Sequence, residues 1–217
     1  MFNTGESGYM AIPSEASHNN WRSGLYVKAS GVEFKMIPVA GLESGFFLMA
    51  ETETTEALYY SVNGTSSTSQ LPVDAVSYLA ISSFIEKLNN ETKLNFSLPS
   101  AEQWKHAAKG GNKSQNYTYS GSNTPGDVAW YAANCTSKQK VKTKAPNELG
   151  IYDMSGNVDE FTNTLHQNNY YGSFERYGGS YGSSSSEIRN TNCIYTNTDY
   201  QTSSYSGSGF RLILTCK

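Results

Sequence analysis

No sustained amphipathic pattern is present beyond residue 111 of this 217-residue chain, so its second half must fold with little helix or sheet. Long irregular stretches are uncommon in compact domains, and they need anchors such as buried aromatic side chains, glycine turns or a bound ion. Aromatic residues make up 13% of the chain, which is enough for a sizeable core. We therefore expect a folded domain whose irregular loops carry the function.

Regular structure is predicted mainly between residues 32 and 111. Residues 32–38 alternate apolar and polar side chains up to Pro38, and residues 45–50 form an apolar run, so both segments are predicted strands. A further strand is predicted at 210–214. Residues 1–31 are polar and show no period, so they are predicted to be an N-terminal extension to a domain spanning 32–217.

Two helices are predicted between these strands. The first follows Pro72 and ends at Asn89-Asn90. Its apolar face is predicted to consist of Val76, Leu79, Ala80, Phe84 and Leu88. The second begins at Ser100, where the sequence SAEQ fits a capping box. The order of elements predicts an α+β fold with two helices, short strands and extensive irregular loops.

Charge and hydropathy exclude two classes of partner. The net charge is -3 and only 16% of residues are charged, so no basic surface for nucleic acid is expected. No apolar run is long enough to span a bilayer, and residues 1–21 lack the pattern of a signal peptide. We expect neither a nucleic-acid partner nor a membrane span.

The cysteines and histidines show no metal-binding motif. Cys135, Cys193 and Cys216 form no CxxC pair, and no histidine stands at a companion spacing. A structural zinc site is therefore not expected. One disulfide or isolated thiols both remain open.

Four ordered motifs resemble one family. They are residues 97–111 (SLPSAEQWKHAAKGG), 147–161 (NELGIYDMSGNVDEF), 177–181 (YGGSY) and 209–211 (GFR). Together they are similar to signatures of the formylglycine-generating enzyme (sulfatase-modifying factor) domain family, which has a variant of the C-type lectin fold. The resemblance implies the formylglycine-generating-enzyme-like C-type lectin fold for residues 32–214.

The resemblance also permits a test for oxidase chemistry. Active members of the family bind Cu(I) through two cysteines that follow the GGS motif, and soft thiolates suit that ion. Aligned on this motif, the two positions are Ser183 and Ile188, so no copper is expected. His106 and His166 have no companions in sequence for the iron site of the sulfoxide synthase branch. An enzyme of this family is therefore not expected.

A calcium site is implied by the turn at 153–160. Carried over by position, the ligands are the side chains of Asp153 and Glu160 and the carbonyls of Gly156 and Val158. Hard oxygens of this kind suit Ca²⁺. The alternative is a tight turn in which Asp153 caps local N–H groups.

The region 166–209 has the strongest compositional bias. Of its 44 residues, 26 are Tyr, Asn, Ser or Thr, and fixed motifs bound it on both sides, which favours displayed loops over disorder. Tyr with Ser, Gly and Asn is also the composition of evolved binding surfaces. The pattern resembles the noncatalytic branch of the family, the variable proteins of diversity-generating retroelements. The ligand-binding positions so implied are Tyr181, Ser183, Ser185, Asn190, Asn192, Tyr195, Asn197, Asp199, Tyr200, Ser204 and Tyr205.

The sequence therefore predicts a ligand-binding protein that recognises a protein or glycan on another cell or on a host. Such a role implies a location at a cell surface or on a phage virion. One alternative is a polar, solvated loop region without a ligand. Another is a metal-dependent oxidase of the formylglycine-generating enzyme or sulfoxide synthase type.

Overall fold

The computed structural model describes residues 2–5, 9–11, 24–43, 45–166, 173–190, 192–194 and 202–215. Their strands are β1 (Phe2–Gly5), β2 (Tyr9–Ala11), β3 (Leu25–Ala29), β4 (Val32–Leu42), β5 (Gly45–Ala50), β6 (Phe96–Ser97), β7 (Asp159–Leu165), β8 (Phe174–Tyr177), β9 (Cys193–Ile194), β10 (Ser208–Gly209) and β11 (Ile213–Thr215). The larger sheets have the orders β3-β4-β5-β11-β6 and β10-β7-β8-β9. Strands β1 and β2 form a separate antiparallel pair.

The five-stranded sheet is antiparallel and joins distant parts of the chain. Strand β11 lies between β5 and β6, so residues near the C-terminus complete the sheet begun by β3. Strand β3 pairs with β4 from the Leu25–Met36 pair to the Ala29–Val32 pair, so this sheet begins within the predicted extension. Strand β4 continues beyond Pro38. The proline lies past the last residue paired with β3, where it removes no β3 hydrogen bond.

Four α-helices occur in the described part of the chain: α1 (Glu56–Val62), α2 (Tyr78–Thr92), α3 (Ala101–Ala108) and α4 (Pro125–Val128). The α+β class is confirmed, and both predicted helices are present with two short ones added. No helix among the described residues is long and apolar enough to cross a bilayer.

Helix α2 differs from its prediction in its end and in its buried face. It buries Ile81, Phe84 and Leu88, whereas Leu79 is 49% exposed. It continues past Asn89, whose side chain instead pairs with both backbone polar groups of Phe96. Helix α3 begins at the predicted capping box, in which Ser100 and Gln103 bond reciprocally.

Two hydrophobic clusters cover the two faces of the five-stranded sheet. Leu48 belongs to the cluster that contains Phe84 and Phe210, while Phe47 belongs to the cluster around Trp104. Neighbouring strand residues point to opposite faces, so both faces of β5 are buried. The second cluster places α3 against β8, where the rings of Trp104 and Tyr177 stack with centroids 5.3 Å apart.

Candidate functional site

The glycine motif that follows β8 turns the chain onto the surface. Gly179 has φ +68°, and a Cβ on it would lie 2.7 Å from Cγ2 of Ile188, so a side chain here would clash. The Tyr181 N–H then donates to the Asn157 carbonyl at 2.8 Å. The motif therefore fixes where the next loop leaves the framework.

The loop 181–187 is held by its own polar groups and by one apolar anchor. The Ser183 hydroxyl accepts from the Ser180 N–H at 3.0 Å, and the Ser183 carbonyl accepts from Ala132 at 3.0 Å. A Glu187 carboxylate oxygen accepts from both the N–H and the hydroxyl of Ser184, each at 2.7 Å. Ile188 is fully buried in a cluster with Tyr119, Val128 and Ala129. The loop is thus exposed but positioned by many contacts.

A second segment, 202–207, meets this loop. The Tyr181 and Ser206 hydroxyls are 3.1 Å apart, and a Cβ on Gly207 would lie 3.2 Å from Cβ of Ser180. The Gly207 N–H donates to Asp74 at 2.9 Å. Asp74 is in turn bound by Lys138 at 2.6 Å, so an ion pair of the framework positions the segment.

Buried polar residues connect the framework beneath both segments. The Asn157 carbonyl accepts from Tyr181, and its side-chain amide donates to Glu53 at 2.7 Å. Glu53 also accepts from the Val158 N–H at 2.9 Å. Burial, and then the nearby Asp153 carboxylate, raise the pKa of Glu53 well above its ordinary value. The surface therefore rests on a layer of hydrogen bonds from residues far apart in sequence.

Most of the predicted ligand-binding residues that the structure describes are exposed or partly exposed. Ser185 and Ser204 are exposed, and Tyr181, Ser183, Asn192 and Tyr205 are partly buried. Ser184, Ser186 and Ser206 are exposed in the same segments, although composition alone does not distinguish them from their neighbours. We name Tyr181, Ser184, Ser185, Ser186, Ser204 and Ser206 the tyrosine–serine surface.

Asn190 is the exception among these candidates. It is only 4% exposed, and its amide donates to the Tyr117 carbonyl at 3.1 Å. The sequence predicted Asn190 on the binding surface, but the residue is buried in the framework, where its side chain is not accessible to a ligand. Tyr195, Asn197, Asp199 and Tyr200 lie outside the described residues.

The two positions that the resemblance assigns to copper cysteines have structural roles here. Ser183 closes the turn with Ser180, and Ile188 fills the apolar cluster below the loop. Neither side chain supplies a thiolate, the ligand that Cu(I) prefers. These positions hold the loop in place.

One of the predicted calcium ligands, Glu160, is occupied by a cationic side chain. Both oxygens of Glu160 are bound by Arg211, at 2.6 and 2.7 Å, and Oε2 also accepts from the Trp104 indole at 2.6 Å. The Glu160 and Arg211 side chains are fully buried. A Ca²⁺ ion would have to share Glu160 with this guanidinium, so the donors present do not fit it. The sequence and the structure thus lead to opposite predictions for calcium binding at this turn.

Asp153 accepts a hydrogen bond from a residue eleven positions away in the chain, which differs from the local capping of the alternative interpretation. Its Oδ2 accepts from the Lys142 N–H at 2.7 Å, and it adopts φ +58°. Its Oδ1 is buried and has no hydrogen-bond partner among the residues that the structure describes. Burial raises the pKa of Asp153 to about 6, against the lowering effects of the Lys142 N–H and Arg211.

Solved structures with the same fold include three proteins of low sequence identity. Treponema denticola variable protein 1 is 22% identical with a TM-score of 0.74, covering 88% of this chain and 98% of that chain. CarF is 21% identical with a TM-score of 0.74, covering 85% and 99%. PvdO from Pseudomonas aeruginosa is 15% identical with a TM-score of 0.67, covering 88% and 98%. At these identities the similarity establishes the fold.

One curated relative matches over a shorter region. Chaperone protein LppX of Paenibacillus barcinonensis is 44% identical over 90 residues, which are 33% of this chain and 32% of that protein. The match thus spans about a third of the relative's length. The family model of the sulfatase-modifying factor enzyme 1-like domain matches residues 18–216. The chain therefore belongs to the sulfatase-modifying factor enzyme 1-like family and has the formylglycine-generating-enzyme-like C-type lectin fold.

Proposed function

We propose that this chain is a noncatalytic ligand-binding protein that recognises a protein or glycan on another cell or on a host through its tyrosine–serine surface. The observation that carries the proposal is an exposed loop, 181–187, that the framework positions from below. In this loop the family's copper-ligand positions are occupied by Ser183 and the buried anchor Ile188. A positioned surface loses less conformational entropy on binding than a mobile one.

The chemistry of the surface suits a neutral polar partner. Tyr supplies a large contact area with little rotamer entropy, and serine hydroxyls both donate and accept hydrogen bonds. Glu187 is the single charged residue in loop 181–187, and its carboxylate is engaged with Ser184. Affinity would therefore come from shape and hydrogen bonds, with weak dependence on salt.

We further propose that residues between 177 and 211 vary through a diversity-generating retroelement. The similarity of the fold to Treponema denticola variable protein 1 supports this proposal. Its test is the genomic neighbourhood, where we expect a reverse transcriptase and a template repeat matching these codons except at adenines. If both are missing, the retroelement proposal is wrong and only a fixed binding domain remains.

Binding is tested directly on a glycan array and a library of displayed surface proteins. For a ligand found in this way, we expect Tyr181→Ala to weaken binding roughly tenfold or more, as loss of a central aromatic contact does. Tyr26→Ala is the matched control, because Tyr26 is 62% exposed but lies on β3. An equal loss of ligand affinity in Tyr181→Ala and Tyr26→Ala would contradict the proposed surface.

The oxidase alternative has its own test. Purified protein with Cu(I) or Fe(II) is given a cysteine-containing peptide under oxygen, and oxygen consumption is followed. We expect none above the metal-only control. Peptide oxidation that requires the protein would overturn the noncatalytic proposal.

A further inference from the structure

Three adjacent strands bring a histidine, a glutamate and a cysteine together. His166 follows the last residue of β7, Glu175 lies on β8, and Cys193 begins β9. Their ligand atoms all lie within 4.8 Å of one another, and Nδ1 of His166 is 3.4 Å from Oε1 of Glu175. The three side chains are partly buried, so the cluster is accessible from solvent.

The strand register explains why these side chains meet. Tyr177 pairs with Glu160 on β7 and with Cys193 on β9, and directly paired residues share one face of a sheet. Glu175 shares that face because it is two residues from Tyr177. This face packs against α3, where the Trp104 ring lies on Tyr177. The cluster therefore lies on a supported sheet.

Tyr177 orients the carboxylate within the cluster. Its hydroxyl donates to Oε2 of Glu175 at 2.7 Å, which leaves Oε1 directed at His166. Hydrogen bonds of this kind fix metal ligands and tune their basicity in known sites. Burial, and to a smaller extent the charge of Glu175, raise the pKa of the Cys193 thiol, while a hydrogen bond with Tyr177 opposes that rise.

We propose that His166, Glu175 and Cys193 bind a Zn²⁺ ion. Imidazole nitrogen, carboxylate oxygen and thiolate sulfur are the donors that zinc takes, and a fourth position would hold water. Tetrahedral zinc places its donor atoms about 3.3–3.7 Å apart, so the side chains must close by about 1 Å. The residues do not belong to the tyrosine–serine surface, and the proposal is independent of the proposed function.

The experiment titrates the reduced protein with Co²⁺ as a spectroscopic substitute for Zn²⁺. Cys216 lies outside the described residues, so Cys216→Ser is introduced throughout to remove its thiol. We expect one equivalent of Co²⁺ to produce a thiolate-to-cobalt charge-transfer band that Zn²⁺ displaces. Cys193→Ser should abolish the band, and His166→Ala and Glu175→Gln should weaken Co²⁺ binding by at least tenfold.

Matched controls separate this site from other histidines and thiols. Cys135→Ser and His106→Ala should leave the band and the affinity unchanged, because these side chains bond to the Tyr131 and Ala40 carbonyls. Tyr177→Phe should weaken binding about 10- to 100-fold while the band remains, as expected for a positioning residue. The proposal is overturned if the wild type gives no stoichiometric band, or if the band survives Cys193→Ser. Circular dichroism confirms that each variant is folded.

Discussion

At the scale of single residues, the buried charges determine how the centre of the fold is held. Arg211 donates to both oxygens of Glu160 and to the carbonyls of Ala50 and Tyr152, at 3.1 Å or less. The guanidinium thus connects the five-stranded sheet to the strand that carries Glu160. Removing one partner of such a pair typically costs about 3–5 kcal/mol, because the other charge is left buried.

Asp153 is a buried acid, and its burial makes stability depend on pH. Its pKa is raised from 3.8 to about 6 on folding, chiefly by burial. The folded state therefore binds more protons than the unfolded state between these values. The free energy of unfolding should accordingly fall as pH rises from about 4 to 6.

Asp153→Asn should reduce that pH dependence. The amide oxygen can still accept from the Lys142 N–H, but no charge forms as the pH rises. A shift of about two pKa units corresponds to at most about 3 kcal/mol, so the wild type and the variant should diverge by up to that amount. Urea unfolding at pH 4, 5, 6 and 7 measures the difference.

Asp127→Asn is the control for this measurement, because Asp127 is an exposed residue of α4. At each of these pH values it should change the free energy of unfolding by less than about 0.5 kcal/mol, as substitutions at exposed positions usually do. If the free energy of unfolding changes with pH in the same way in the wild type and in Asp153→Asn, the raised pKa of Asp153 is contradicted. Glu53 is also buried and its pKa is also raised. Some dependence of the free energy of unfolding on pH should therefore remain in the wild type and in the variant.

At the scale of elements, the loop 181–187 is one unit held at its two ends. Its start is fixed by the Tyr181 N–H and its end by Ile188 in the cluster of Tyr119, Val128 and Ala129. Exposed serines between these ends can vary without touching the core. Residues that anchor the loop and residues that are exposed to solvent therefore lie within a few positions of each other in the chain.

Ile188→Ala should loosen this unit. Removing a fully buried isoleucine side chain costs about 2–5 kcal/mol through lost burial and the cavity left behind. We expect a lower free energy of unfolding and faster hydrogen exchange at the Ser183 and Glu187 amides, which donate to the Ser180 and Ser184 carbonyls. Ser185→Ala, at an exposed position, should change stability by less than about 0.5 kcal/mol. Unchanged exchange in Ile188→Ala would exclude Ile188 as the anchor.

At the scale of the whole molecule, the four-stranded sheet β10-β7-β8-β9 is shared by the two proposed sites. The GGS turn that begins the tyrosine–serine surface follows β8, and the proposed zinc ligands lie on β8 and β9 and at the end of β7. The buried Glu160–Arg211 pair joins this sheet to the rest of the fold. One rigid scaffold can thus support two independent sites.

Calcium should not stabilise the molecule. Because Glu160 is paired with Arg211, we expect neither excess Ca²⁺ nor a chelator to change Tm. Scanning calorimetry in the presence of Ca²⁺ and of EGTA measures this. A Ca²⁺-dependent rise in Tm that Asp153→Asn abolishes would instead support the site predicted from the sequence.

The sequence predicted the features that depend on local order. The capping box at Ser100, the strand at 45–50 and the buried Phe84 and Leu88 each follow from residues within a few positions. The ordered motifs indicated the family, and the composition of 166–209 indicated a displayed surface. The exposure of Leu79 was not predictable, because it depends on which face of α2 the sheet covers.

Only the tertiary structure decided the partners of the buried polar groups. Glu160 was placed by sequence in a calcium site, yet in the fold it pairs with Arg211, 51 positions away. His166, Glu175 and Cys193 follow no metal-binding spacing, and strand register alone brings them together. Capping boxes and apolar periodicity depend on residues that are close together in the chain, so the sequence predicts them. Pairing across a sheet is decided by the packing of the whole chain.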